Sequence, residues 1–125
     1  MLIGNAPCSW GIAYPTGNNY SWSQYLDEVA AAGYRGTELG PLGFLPRDAN
    51  LVRDELSKRG LSLIGATHVH TFGDAGSAPG LMATLRELSS LLRPLGARHL
   101  VIMDESNFYP KGHEGVLDQA GWLGL

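Results

Sequence analysis

Ala30-Ala31-Ala32-Gly33-Tyr34-Arg35-Gly36-Thr37-Glu38-Leu39 reads as a helix running out into a strand through one glycine. Glycine suits the position just past a helix end, where the chain turns through the left-handed region before it extends. The same junction returns twice, at Ser57-Lys58-Arg59-Gly60-Leu61-Ser62-Leu63-Ile64-Gly65 and at Arg93-Pro94-Leu95-Gly96-Ala97-Arg98-His99-Leu100-Val101-Ile102. Three repeats of one junction make a rhythm, and the rhythm decides the fold.

Working outward, the helices before these glycines are amphipathic. Trp22, Leu26 and Val29 fall at i, i+4 and i+7, with Ser21 as N-cap and Gln24 completing a capping box. A second helix starts near Asp48 and stacks Val52 on Leu56. A third carries Leu81, Leu85, Leu88 and Leu92 on one face, with Pro79 tolerable in its first turn and Pro94 ending or bending its last. The strands are expected around Ile3–Ser9, Gly36–Gly40, Leu61–His70 and His99–Asp104, mostly apolar or small on both faces, as parallel strands covered on both sides are.

Strand–helix alternation means parallel α/β with right-handed crossovers. A closed eightfold barrel of ~250 residues gives about 31 residues to each unit, so this chain of 125 residues holds four units. A dinucleotide-binding sheet wants G-x-G-x-x-G after its first strand, whereas Pro7-Cys8-Ser9-Trp10-Gly11 follows here, and no G-K-[ST] occurs. The expectation is therefore one domain over residues 1–125, the first half of a (β/α)8 TIM barrel, cut off as a fourth helix begins.

Composition narrows the function. Nine basic and twelve acidic residues give a net charge of −3 with no Lys/Arg run, so nucleic acid is not expected as a partner. No signal peptide or membrane-length apolar window is read, and the single cysteine, Cys8, fits a reducing cytoplasm. Without a local basic partner Cys8 is expected to be a buried, inert thiol.

In such barrels chemistry gathers at the C-terminal strand ends, and polar or aromatic groups fall there on all four strands. The first ends in Cys8-Ser9-Trp10, the second in Glu38, the third in His68-Val69-His70 and the fourth in Asp104-Glu105-Ser106. Leu39 suits the helix layer, which turns Glu38 toward the barrel axis; a structural ion pair is the plainer alternative. His68 and His70 share a strand face and together suit one metal or one substrate. Trp10 is either an apolar wall for a sugar or packing under a loop. One of Asp104 and Glu105 faces inward as ligand or base, or caps the following loop. Gly73–Ser77 is a glycine-rich loop, a lid or a weak anion site. His99 and His113 are read as structural and uninformative respectively.

Gly4-Asn5-Ala6-Pro7-Cys8-Ser9-Trp10-Gly11, followed by Leu26-Asp27-Glu28-Val29-Ala30-Ala31-Ala32-Gly33-Tyr34-Arg35-Gly36-Thr37-Glu38-Leu39-Gly40-Pro41, resembles the amino-terminal part of the inosose dehydratases. These belong to the xylose isomerase-like sugar isomerase/epimerase barrels. The resemblance continues weakly through Leu100–Glu105. It implies a divalent metal, manganese or cobalt, and loss of water from a keto-inositol in inositol catabolism. The substrate would be a small polyol or keto-sugar, contacted by Glu38, His68, His70, Trp10 and Asp104. The family's metal ligands, Glu, Asp, His and Glu, come from the carboxy-terminal half, so none is expected in this chain.

Three alternatives stand beside that reading. An isomerase or epimerase of the same family shares the enolisation chemistry. An amidohydrolase-type metal hydrolase is prompted by His68-x-His70, although such a pair characteristically ends the first strand there. A non-catalytic half-barrel would self-associate or bind a missing carboxy-terminal half, because its strand edges and inner face are unfilled.

Overall fold

The computed structural model describes residues 3–72 and 75–104. Strand β1 is Gly4–Asn5, β2 Gly36–Glu38, β3 Ser62–His70 and β4 His99–Asp104; the helices between them are α1 Trp22–Ala31, α2 Ala49–Lys58 and α3 Ala78–Leu92. All pairings are parallel and the sheet order is β1-β2-β3-β4. An open doubly wound sheet changes direction at a switch point; this order has none. With right-handed crossovers, sequential order puts every connecting helix on one face of the sheet, the arrangement of a partial parallel α/β barrel.

The helix boundaries follow local chemistry. Ser21 and Gln24 form the reciprocal capping box, and Asp48 accepts the Asn50 and Leu51 backbone N–H groups. Gly33 and Gly60 take φ of 89° and 66° just beyond α1 and α2, the left-handed turn that glycine adopts without a Cβ clash. Pro94 ends α3 as a helix, and a 3₁₀ turn over Arg93–Leu95 carries the chain to β4.

The core lies between helices and sheet. Leu26 and Val29 of α1, Val52 and Leu56 of α2, and Leu88, Leu91 and Leu92 of α3 close on Leu39, Leu63 and Ala66. Each fully buried Leu is worth about 1.5–3 kcal/mol against exposure. Tyr25 belongs to the same core, and its hydroxyl meets Thr37 Oγ1 at 2.7 Å. On the helix surface, Arg59 ties α2 to α1 through Asp27 at 2.6 Å and Ser23 at 3.0 Å, and it also holds Glu55 at 2.6 Å. That last contact keeps the Glu55 carboxyl below its ordinary pKa.

Two expectations are corrected. The first strand is Gly4–Asn5, not Ile3–Ser9, because Pro7 has no N–H for a ladder and opens a 3₁₀ turn over Pro7–Trp10. Cys8 rides on that turn and is exposed rather than buried. Among the described residues, no helix is long and apolar enough to cross a membrane.

Candidate functional site

The site is set by an irregularity between β2 and β3. Gly36 pairs with Ser62 and Thr37 with Leu63, but Glu38 pairs with Gly65, so β3 carries one extra residue at Ile64. An extra residue in one strand of a pair is a bulge, and it reverses which face the following side chains take. Before the bulge Leu63 packs among the helices; after it Ala66 does, three positions on, which strict alternation forbids.

The two faces of β3 therefore carry different chemistry. Thr37 and Leu39 turn to the helix side, Thr37 through its bond to Tyr25 and Leu39 at 1% exposure in the core. Glu38, between them, turns to the inner side. Thr67 follows Gly65 by two and shares Glu38's face, and its Oγ1 donates to Glu38 Oε2 at 2.8 Å. The same face carries Ile64, Val69, Val101 and Met103, all large, apolar and exposed, Met103 at 48%. Glu38 is thus a half-buried carboxylate set among apolar neighbours, with one oxygen held by a threonine; no donor among the described residues reaches Oε1.

His68 and His70 lie on the other face. They alternate with Thr67 and Val69 and follow Ala66, so they point toward α3. Their rings stack with centroids 6.2 Å apart, and Phe72 sits edge-on to His70 at 5.2 Å. Burial and the neighbouring His70 push the His68 pKa down, which keeps it neutral near neutral pH. His70 Nε2 lies 2.8 Å from Ser77 Oγ. Both histidines line an open cleft of 560 Å³ with Thr71, Ser77, Gly80, Leu81 and Thr84.

The structure therefore brings the two histidines together but sets them on the face opposite Glu38. Trp10 is engaged elsewhere: its indole N–H donates to Glu28 Oε2 at 2.7 Å, and its ring meets Tyr25 and Tyr34 edge-on. Asp104 pairs in register with His70, and its Oδ1 accepts the Phe72 backbone N–H at 3.2 Å, closing the turn after β3. Glu105, Ser106, His113 and the expected start of a fourth helix lie outside the described residues, as do Gly73 and Asp74 of the glycine-rich loop. Among the described residues no three His, Cys, Asp or Glu side chains converge as a metal site.

Two polar residues escaped the sequence reading. Thr67 had no signal without the bulge, since plain alternation puts it opposite Glu38. Ser77 was legible only as a polar residue before a helix; its partner His70 is seven residues earlier.

No protein-family model matches the chain. It is similar to an inosose dehydratase of Geobacillus kaustophilus (strain HTA426), 28% identical over 108 residues. The match covers 82% of this chain and 33% of that enzyme, so the chain spans a third of the length of the relative it matches. With the parallel strand–helix order, this is a distant, family-level likeness to inosose dehydratase.

Proposed function

We propose that this chain provides four strands, with the helices between them, of a barrel that dehydrates a keto-inositol, and that Glu38 is its substrate-facing carboxylate. The carrying observation is the Thr67–Glu38 pair on the inner face, taken with the likeness to inosose dehydratase. In this reading Thr67 fixes Oε2, and Oε1 accepts a ring hydroxyl of the polyol. A carboxylate with one oxygen tethered presents the other in a defined direction, which orients a substrate having hydroxyls on every carbon. The reaction is enolisation beside the ketone followed by loss of a β-hydroxyl as water. The described residues do not fit the manganese or cobalt that the resemblance implies, so their part is binding and orientation.

The test is a titration of the ¹⁵N-labelled chain with an inosose. Shifts are expected at Gly36–Glu38 and Thr67, and Glu38→Gln should weaken binding roughly tenfold by removing a charge-assisted hydrogen bond. Shifts confined to the helix-facing cleft would overturn the assignment of Glu38. The chain alone, with added manganese, should not turn over the ketone.

A second reading, self-association through the inner face, is favoured by its exposed Ile64, Val69, Val101 and Met103. Light scattering after size exclusion separates the two: a monomer that binds inosose supports the first, and a dimer whose formation Met103→Ser abolishes supports the second.

A further inference from the structure

We propose that the cleft between β3 and α3 is a separate site, in which His70 serves as base for the Ser77 hydroxyl in acyl transfer from esters of short-chain acids. It shares no side chain with the Glu38 face and stands or falls apart from the keto-inositol reading.

The geometry begins with the pair itself. Ser77 Oγ and His70 Nε2 are 2.8 Å apart, the reach that a base needs to take a hydroxyl proton. The Thr71 carbonyl lies farther from Oγ, at 3.4 Å. Ser77 is the N-cap residue of α3, yet its side chain makes no capping bond to the helix. The hydroxyl therefore stands at the positive end of a 15-residue helix, where developing negative charge on an attacked carbonyl is favoured. Both residues are half-buried and line the 560 Å³ cleft, a size suited to a small molecule. Leu81 gives an apolar wall for a short acyl chain, and Gly80 leaves space beside it, since a Cβ there would touch nothing within 4 Å. Among the described residues that line the cleft none is a carboxylate.

Two neighbours support the pair. Asp104 is a positioning residue: by accepting the Phe72 N–H it holds the chain two residues beyond His70. Phe72 packs edge-on against the His70 ring and limits its rotation. His68, stacked on His70 and kept neutral by burial, adds no competing positive charge at neutral pH.

The step balances without a further reactant. The Ser77 proton passes to His70 Nε2 as Oγ bonds the acyl carbon. The tetrahedral adduct collapses, the ester C–O bond breaks, and the departing alkoxide takes the proton from Nε2 as an alcohol. Water, deprotonated by the same nitrogen, then attacks the Ser77 ester, releasing the acid and restoring the hydroxyl.

The probe is p-nitrophenyl acetate with the full chain at pH 7.5, followed by p-nitrophenolate release and by mass spectrometry of the acylated peptide. An acetyl adduct is expected on Ser77, with hydrolysis reduced on the order of 10²-fold in both Ser77→Ala and His70→Gln. Leu51→Ala, on the exposed side of α2, should hydrolyse at the parent rate. Ser77→Cys keeps the test valid should the alanine variant lose its helix, because a thiol in the same place accumulates a thioester. The proposal is overturned if Ser77→Ala hydrolyses as fast as the parent. It is equally overturned if neither parent nor Ser77→Cys carries an adduct, or if the parent is no faster than imidazole at equal concentration.

Discussion

The helix-facing and inner faces of the sheet come from one set of strands yet obey different rules. On the helix side, Leu39, Leu63 and Ala66 are sealed by three amphipathic helices, and the buried Tyr25 and Thr37 hydroxyls bond each other, while Asn5 Oδ1 is buried without a hydrogen-bond partner among the described residues. On the inner side, Ile64, Val69, Val101 and Met103 stand exposed around a carboxylate tied by one threonine. Stability resides on the first face, and the proposed keto-inositol chemistry on the second. The difference teaches that in this chain the helices fix the strands from one side, while the other side carries the carboxylate proposed to meet substrate.

The hardest way to break this contrast is to cut into each face equally. Leu88→Ala, at a residue 1% exposed, is expected to cost about 2–5 kcal/mol through lost transfer energy and the cavity left behind. Val101→Ser, at 48% exposure, should stay within about 0.5 kcal/mol. Urea unfolding at two protein concentrations measures both. A large, concentration-dependent loss in Val101→Ser would show that the inner face is covered by a second copy.

A smaller effect sharpens the point where the faces meet the bulge. Gly36 lies beneath Ile64, and a Cβ added there would stand 2.7 Å from Ile64 Cγ2. That methyl sits one bond from Cβ and cannot swing clear, so Gly36→Ala is expected to destabilise by about 1–3 kcal/mol. Ile64→Ala in the same chain should recover most of it. The coupling from a double-mutant cycle is the readout, and additive losses would mean that the strands separate instead.

How much of this was legible follows from the range of each interaction. Helix caps and ends are local: Ser21 with Gln24, Asp48, and the glycines after α1 and α2 were readable because every partner lies within a few residues. The parallel α/β order was readable from their repetition. The relation between Glu38 and the histidines was not, because it depends on register between strands separated by α2. Ile64–Gly65 carried the one hint, a glycine inside a strand, which often marks a bulge. Alternation counted through that point puts Thr67 on the wrong face. The exposure of Cys8 is not legible either: the lack of a basic partner speaks to its reactivity and not to its burial, which is set by the 3₁₀ turn that opens at Pro7.

At about 1 kcal/mol, Tyr25→Phe probes the polar contact inside the sealed face. Burial pushes the Tyr25 phenol up to about 12 from 10.0, against the opposing hydrogen bond with Thr37. The unfolded chain then gives up this proton first, so the parent should lose stability as pH rises from about 10 toward 12. The phenylalanine variant lacks that slope, and thermal melts across the range compare the two. A parallel decline in both proteins would mean that the phenol reaches solvent.

The smallest effect lies at His68, on the helix side but at the edge of the open cleft. Burial, then the neighbouring His70, lower its pKa from the ordinary 6.5. Below 6.5 the unfolded chain therefore binds the proton more readily than the folded one, and stability falls as pH drops through that range toward the lower folded value. His68→Gln should flatten this acid limb while leaving stability at pH 8 nearly unchanged, since the folded imidazole is neutral there and bears no charge to lose. The cleft is open to solvent, which screens the effect and makes it the least of the four. Melts at pH 5.5 and 8 measure the slope directly. A limb equally steep in His68→Gln would assign it to other groups, and a steeper one would mean that His68 is charged and paired in the fold, bringing the two faces closer in character than their packing implies.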